Sequence, residues 1–221
     1  MSAETVYDKN GNAHEIVDFN DDYTGAKLGM WFFLFTELML FGGMFLAYAV
    51  YFYDYTDDFI KASQNMNLWL GGLNTVILLF SAATLGLSVL HIKVGDIKTS
   101  KTFLISTIIL AIAFLTVKYF EWSAEFHHGI WPDSPTLVGM SKGENLYFGL
   151  YFTLTGLHGL HIILGVVAML WAYTKINNKE IHSKDFVILE NTALYWDYVH
   201  LVWVFVVPIF YMIGLSTPGG H

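Results

Sequence analysis

The stretch TGLHGLHIILG, from Thr155 to Gly165, places two histidines in the middle of a long apolar segment. His158 and His161 are three residues apart, so in a helix they lie on the same face. The apolar segment around them is long enough for a helix that crosses a lipid bilayer, where ionisable side chains are costly. Two interpretations are open: the histidines bind a metal or haem, or they form hydrogen bonds that join one helix to another.

The composition of the whole chain is typical of a membrane protein. Of its 221 residues, 55 % are hydrophobic and only 14 % are charged, which differs from soluble globular domains. A spanning helix needs about 20 mostly apolar residues. The segments that meet this requirement are 28–53, 67–92, 102–123, 145–173 and 187–214. We therefore predict an all-α polytopic membrane protein, with a bundle of five transmembrane helices at 27–216, an acidic cytoplasmic tail at 1–26 and a short tail at 217–221.

The lysines predict the direction of the spans, because the chain contains no arginine. With five crossings, the N-terminus and the second and fourth loops lie on one side of the membrane. The lysines on that side are Lys9, Lys27, Lys93, Lys98, Lys101, Lys175, Lys179 and Lys184. The opposite side has only Lys61 and Lys142. Since Lys-rich loops stay in the cytoplasm, we expect a cytoplasmic N-terminus and a C-terminus outside.

Two features of the composition exclude classes of function. Cysteine is absent, so the chain has no disulfide, no thiolate metal site and no covalent c-type haem. The net charge is −8 and no basic patch is present, so nucleic acid is not an expected partner. Small residues in the first span, Gly29, Thr36 and Gly43, recur every seventh position and predict a face where another helix packs closely.

Two further groups of ionisable residues lie inside predicted spans. Glu37 comes ten residues after Lys27, which is about 15 Å into the bilayer at 1.5 Å per residue. It is either a proton-related or subunit-docking carboxyl, or a neutral acid that binds a neighbouring helix. Lys118 and Glu121 are three residues apart near the outer end of the third span. We expect a lipid headgroup contact or an interfacial ion pair there.

The fifth predicted span has the same spacing of polar residues as the fourth, at Asp197 and His200. Counted from the nearest cytoplasmic lysines, His161 and Asp197 both lie about 20 Å deep, and His158 and His200 about 24–25 Å. We therefore predict structural polar pairs in which His161 bonds Asp197 and His158 lies beside His200. The matched depths also allow a small b-type haem electron carrier with His161 and His200 as axial ligands. A stand-alone transporter is a third possibility, although no internal repeat supports it.

Four of the predicted spans resemble subunit III of the haem–copper terminal oxidases, the cytochrome c and quinol oxidases of aerobic respiration. The similar segments, in the family's order, are KLGMWFFLFTELMLFGGMFLAYAVY, LNTVILLFSAATL, LYFTLTGLHGLHIILG and ENTALYWDYVHLVWVF. VKYFEW is similar to the remaining span. The resemblance implies a subunit without a catalytic centre, cofactor or metal of its own, in an oxygen-reducing, proton-pumping complex of a bacterial plasma membrane.

The resemblance also implies partners and residue roles. The chain would pack against catalytic subunit I and other oxidase subunits, which hold the haem and copper, and it would bind phospholipid and support proton uptake. Glu37 is similar to the glutamate of the family's E-x-x-x-F-x-G segment, and His158 and His161 are similar to the two histidines of its fourth-span motif. Glu190 is similar to the glutamate before the last aromatic motif, and we expect it at a lipid or subunit interface.

The sequence departs from the family pattern in two respects. The family usually has Trp-His-x-x-Asp in the last span, whereas here Asp197 and His200 occupy exchanged positions. Many relatives have seven spans rather than five. An accessory subunit of a nitric oxide reductase is similar and is kept as the alternative to an oxidase subunit.

Overall fold

Five long helices form the membrane part of the computed structural model, which describes residues 4–7, 13–16, 23–131, 134–183 and 185–215. In chain order the helices are α1 (Tyr23–Asp54), α2 (Thr56–Ser63), α3 (Leu68–Lys93), α4 (Ile97–His127), α5 (Pro135–Val138), α6 (Lys142–Asn177) and α7 (Val187–Val207). α7 continues through a π-helical turn, Pro208–Met212, and a 3₁₀ turn, Ile213–Leu215. All except α2 and α5 are long and apolar enough to cross a bilayer. The prediction of an all-α protein with five spans is confirmed.

Capping residues explain why two helices begin before the apolar segments that predicted them. The side chain of Asp96 accepts a hydrogen bond from the Thr99 backbone at 3.1 Å and caps the start of α4. Hydrogen bonding to the side chain and backbone of Thr99 holds the pKa of Asp96 below its usual value. Lys98 and Lys101, expected in a loop, therefore lie in the first turns of α4. α6 starts at a capping box in which Ser141 and Glu144 satisfy each other's backbone N–H groups.

Short elements lie outside the five spans. In the predicted N-terminal tail, β1 (Glu4–Tyr7) pairs antiparallel with β2 (Ala13–Ile16). The first span begins at Tyr23, which is before the boundary that we expected at residue 27. The predicted tail at 217–221 lies outside the described residues.

Hydroxyl groups join α3 to α4 along their interface. Ser88 and Ser100 each donate to the other's backbone carbonyl, at 2.9 and 2.8 Å. About two turns beyond Ser100 along α4, the hydroxyls of Thr84 and Thr107 are 2.8 Å apart. Such hydrogen bonds and close packing hold helices together in lipid, where the hydrophobic effect does not drive one helix against another.

α1 is the most weakly buried of the five spanning helices. Its buried residues, Leu34, Phe41 and Tyr48, recur every seventh position and form one stripe that packs against the rest of the bundle. The predicted contact face at Gly29 and Gly43 is not this stripe, because both glycines have open space where a Cβ would be. Most of the surface of α1 is thus left exposed.

The last turns of α7 are held by side chains from three other helices. The hydroxyls of Tyr147 in α6 and Ser63 in α2 donate to the carbonyl of Phe210, at 2.6 and 3.0 Å. The hydroxyl of Tyr48 in α1 donates to the carbonyl of Ile209. The final carbonyls of a helix have no partner within the helix, so these hydroxyls satisfy groups that would otherwise be unpaired in the bundle.

Candidate functional site

Glu37 in α1 binds His161 in α6. Oε2 of Glu37 lies 2.8 Å from Nε2 of His161, and the two side chains are 16 % and 7 % exposed. Nδ1 of His161 lies 2.8 Å from the carbonyl of Leu157 and must donate to it, because a carbonyl only accepts. The proton between Glu37 and Nε2 belongs to a neutral acid or to an imidazolium. The pair is electrically neutral in both cases and can hold one proton on either partner.

His200 joins α7 to α3. Its Nδ1 lies 2.6 Å from the carbonyl of Trp196. Its Nε2 lies 2.6 Å from the carbonyl of Leu78 and 2.9 Å from the hydroxyl of Ser81. The indole N–H of Trp196 donates to the same Ser81 hydroxyl at 3.2 Å. Both ring nitrogens of His200 are therefore engaged, Nδ1 within α7 and Nε2 on α3.

His158 lies between two aromatic side chains. Its ring centroid is 5.0 Å from that of Trp203, in a stacked geometry, and 5.7 Å from that of Phe114, edge to face. The side chain is 1 % exposed, and neither ring nitrogen has a hydrogen-bond partner among the described residues. Within the part of the chain that the structure describes, His158 thus acts as an aromatic packing residue.

Asp197 points away from the bundle and is exposed. The predicted His161–Asp197 bond is replaced by the contact between His161 and Glu37, and His200 bonds α3 rather than His158. Residue counts give the depth of a side chain along its helix, but they do not give the rotation of the helix about its axis. That rotation directs His161 to α1, His200 to α3 and Asp197 to the surface.

The same geometry bears on the haem alternative. A b-type haem needs a free ring nitrogen from each of its two axial histidines, and the two rings must face each other. Both nitrogens of His161 and both of His200 are within hydrogen-bond distance of other groups, and the rings contact different helices. Among the described residues, no three His, Asp or Glu side chains are grouped to hold a metal ion.

Lys118 and Glu121 lie inside the bundle rather than at its lipid surface. Their side chains are 7 % and 3 % exposed, and Nζ of Lys118 is 3.1 Å from Oε1 of Glu121. Nζ also donates to the hydroxyls of Tyr151 and Tyr211, at 3.0 and 2.6 Å. Of the two expectations for Lys118, the structure has the ion pair with Glu121 and not the headgroup contact. The pair lies inside the bundle rather than at its interface, because α6 and the end of α7 supply further polar groups for the lysine.

The two tyrosines complete this buried cluster by donating to the carboxylate. The Tyr151 hydroxyl donates to Oε1 of Glu121 at 2.6 Å, and the Tyr211 hydroxyl donates to the same atom. Nζ of Lys118 also lies 4.8 Å from the ring centroid of Tyr151 and 5.3 Å from that of Trp203. A buried charge is tolerable when it is paired and hydrogen-bonded, and this cluster connects α4, α6 and the end of α7.

Glu190 binds two lysines at the lysine-rich end of the bundle. Its Oε2 is 2.8 Å from Nζ of Lys27, and its Oε1 is 2.6 Å from Nζ of Lys93. The hydroxyl of Tyr23 donates to Oε2 at 2.9 Å. We expected Glu190 at a lipid or subunit interface. Its carboxylate instead connects α1, α3 and α7 of its own chain.

Several residues of these contacts were not predicted from the sequence. The sequence assigns no contact to Tyr151 or Tyr211, and it predicts Ser81 only as a small residue on a helix-contact face of the second span. A signal for the tyrosines does exist, because a phenol hydroxyl in the middle of a span needs a partner and the charges at Lys118 and Glu121 need further hydrogen bonds. For Ser81 the small side chain indicates a close helix contact, which the structure places against α7, but its hydrogen bonds with His200 and Trp196 have no signal in the sequence.

These observations define a polytopic membrane protein of five spans that contains two internal ionisable pairs, Glu37–His161 and Lys118–Glu121. The model of the family described as cytochrome c oxidase subunit III matches residues 18–215. The chain belongs to this family, and the predicted membership is confirmed.

Curated relatives carry related names. The chain is 29 % identical over 196 residues to the "Heme-copper oxidase subunit I+III" of Aeropyrum pernix, which covers 85 % of this chain and 22 % of that relative. It is 27 % identical to the "Probable quinol oxidase subunit 3" of Staphylococcus saprophyticus and 28 % identical to the protein of that name in Staphylococcus aureus strain USA300. Each of these two matches covers 87 % of this chain and 91 % of the relative. The chain thus spans about a fifth of the fused relative and most of the staphylococcal ones.

Proposed function

We propose that this chain is the non-catalytic subunit III of a respiratory haem–copper oxidase in a bacterial plasma membrane, in a complex that reduces oxygen and pumps protons. The observation that carries the proposal is a family match that extends over all five spans. The haem and copper would be held by partner subunits. The internal bonding of His161, His200, Lys118 and Glu121 supports a structural role for these residues rather than a catalytic one.

The partner that we propose is catalytic subunit I. The name of the Aeropyrum relative joins subunits I and III in one polypeptide, and fusion of two subunits keeps both in the same complex. The oxidase names of the relatives favour an oxidase over a nitric oxide reductase as the complex.

Phospholipid is the ligand that we propose for a groove between α4 and α6. The groove has a volume of about 580 Å³ and is lined by Leu115, Trp122, Gly156, Gly159 and Leu160, among others. The two glycines leave room along α6, and the lining is mostly apolar, as an acyl chain requires. The headgroup would bind elsewhere, because the ammonium group of Lys118 is already bound inside the bundle.

Glu37 is the residue that we propose to support proton uptake. With His161 it forms a neutral pair that can hold one proton on either partner, and its side chain keeps some exposure. Glu37→Gln is expected to lower the proton-uptake rate of the complex and leave its haem content unchanged. The matched control is Glu180→Gln, because Glu180 is an exposed acid in a loop. Equal rates in the two variants would contradict this role.

Purification of the native complex tests the proposed function. An affinity tag on this chain, pulled from membranes in mild detergent, is expected to bring down a large haem-binding polypeptide. The chain separated from that complex is expected to have no Soret band. Purification without any haem-binding polypeptide, or stoichiometric haem in the separated chain, would overturn the proposal.

A further inference from the structure

We propose that the groove between α1 and α7, with Asp197 at its edge, receives a transmembrane helix of the catalytic subunit, and that this helix donates a hydrogen bond to Asp197. The inference rests on the proposed function, which supplies the partner. It adds the surface of contact and the residue that recognises the partner.

Asp197 is an exposed acid in the membrane part of the chain. It comes ten residues after Val187, about 15 Å into the last span at 1.5 Å per residue. It forms no hydrogen bond or ion pair within the described ranges of the chain. The nearby Glu37 and Glu190 differ in this respect, because each is bound by its own chain. Asp197 is therefore left to bind a group from outside the chain.

The surface beside Asp197 is an apolar groove. Leu201 follows Asp197 by one helical turn on the same face and lines the groove together with Phe205, Leu38 and Gly42. Leu201 and Phe205 are 50 % and 54 % exposed. The groove has a volume of about 520 Å³, so it can take the side chains of a neighbouring helix.

The charges on this face select the kind of partner. The segments 28–54 and 187–215, which contain α1 beyond Lys27 and the whole of α7, have no lysine or arginine. A second copy of this chain, placed on the same groove, would bring another carboxyl and no cation. Lipid tails offer no donor, and an aspartate in the hydrocarbon costs about 2.5–3.5 kcal/mol at the centre of a helix. A helix with a basic or amide side chain at this depth complements both the acid and the apolar groove.

Photo-crosslinking in the assembled complex tests the location of the contact. A photoreactive amino acid in place of Leu201 is expected to form an adduct with the haem-binding subunit. The matched control is the same amino acid in place of Ile109, which is 60 % exposed on α4 and lies outside the groove. An adduct from position 109 without one from 201, or an adduct of position 201 with a second copy of this chain, would overturn the inference. No adduct from 201, in a complex that still contains both subunits, would also overturn it.

Substitution of Asp197 tests the hydrogen bond. Asp197→Leu removes the acceptor and is expected to reduce the haem-binding subunit that co-purifies in detergent by about three- to tenfold, which corresponds to a hydrogen bond between helices in a membrane. Asp197→Asn keeps a carbonyl acceptor and is expected to lose less. Equal recovery from Asp197→Leu and the unaltered chain would overturn the inference. If the unaltered chain itself brings down no haem-binding subunit, the proposed function fails instead.

Discussion

Glu37 and His161 are 124 residues apart in the sequence, yet their side chains meet at 2.8 Å and join α1 to α6. The contact matters because α1 buries only a narrow stripe against the bundle. A hydrogen bond inside the membrane therefore supplements weak packing at this helix.

Removal of this hydrogen bond is expected to destabilise the attachment of α1. Glu37→Leu should lower the free energy of unfolding by about 1–2 kcal/mol, whereas Glu37→Gln, which can still bond His161, should lose less. Unfolding of the detergent-solubilised protein by SDS measures both effects. Met39→Leu, at an exposed position of the same helix, is the control. Equal losses from Glu37→Leu and Glu37→Gln would contradict a specific bond with His161.

The sequence predicted the spans well, and among the polar contacts it predicted a pair within one helix, Lys118–Glu121, but not the pairs that join different helices. Apolar length and lysine positions are properties of one segment at a time, so the five spans could be recognised. Successive side chains point about 100° apart around the helix axis. Which of them faces a given neighbour depends on how the whole bundle packs. Glu37 and His161 were each singled out, but their pairing depends on that packing.

The buried Lys118–Glu121 pair is expected to be sensitive to removal of one partner. Lys118→Met leaves the carboxylate of Glu121 buried without its cation and should cost about 3–5 kcal/mol of unfolding free energy. Adding Glu121→Gln should recover part of that loss, because the amide carries no charge. SDS unfolding of the single and double variants measures the difference.

Tyr119→Phe provides a control for this cluster. Tyr119 is adjacent to Lys118 in the sequence but 71 % exposed, so its hydroxyl should contribute little. A double variant that is no more stable than Lys118→Met would contradict the charge-pair explanation.

Gly165 is required where α6 meets α7. A Cβ at this position would lie 2.6 Å from Cζ3 of Trp196, closer than packed carbon atoms allow. Gly165→Ala is therefore expected to lower the unfolding free energy by about 1–3 kcal/mol. Gly159, on the same helix, has open space around the same position. Gly159→Ala should be neutral or slightly stabilising, and a similar loss in both variants would rule out the Trp196 contact as the cause.

Glu190 is expected to provide a salt-sensitive contact between three helices. Glu190→Gln leaves Lys27 and Lys93 without their carboxylate and should lower the unfolding free energy by about 1–2 kcal/mol. Because the side chain of Lys93 is 44 % exposed, salt should screen part of the wild-type pairing. The difference between wild type and variant should therefore shrink as salt concentration rises, and a difference that is independent of salt would argue against ion pairing.

The hydroxyls of Tyr48, Ser63 and Tyr147 have a consequence for biogenesis. They bind the carbonyls of Ile209 and Phe210, and they come from segments that a ribosome makes earlier. The carbonyls of Ile209 and Phe210 can form these hydrogen bonds only after the earlier segments have entered the bilayer and packed together. We therefore expect the C-terminal segment to complete the bundle last, so that a truncated product ending before Pro208 would be a substrate for membrane proteases.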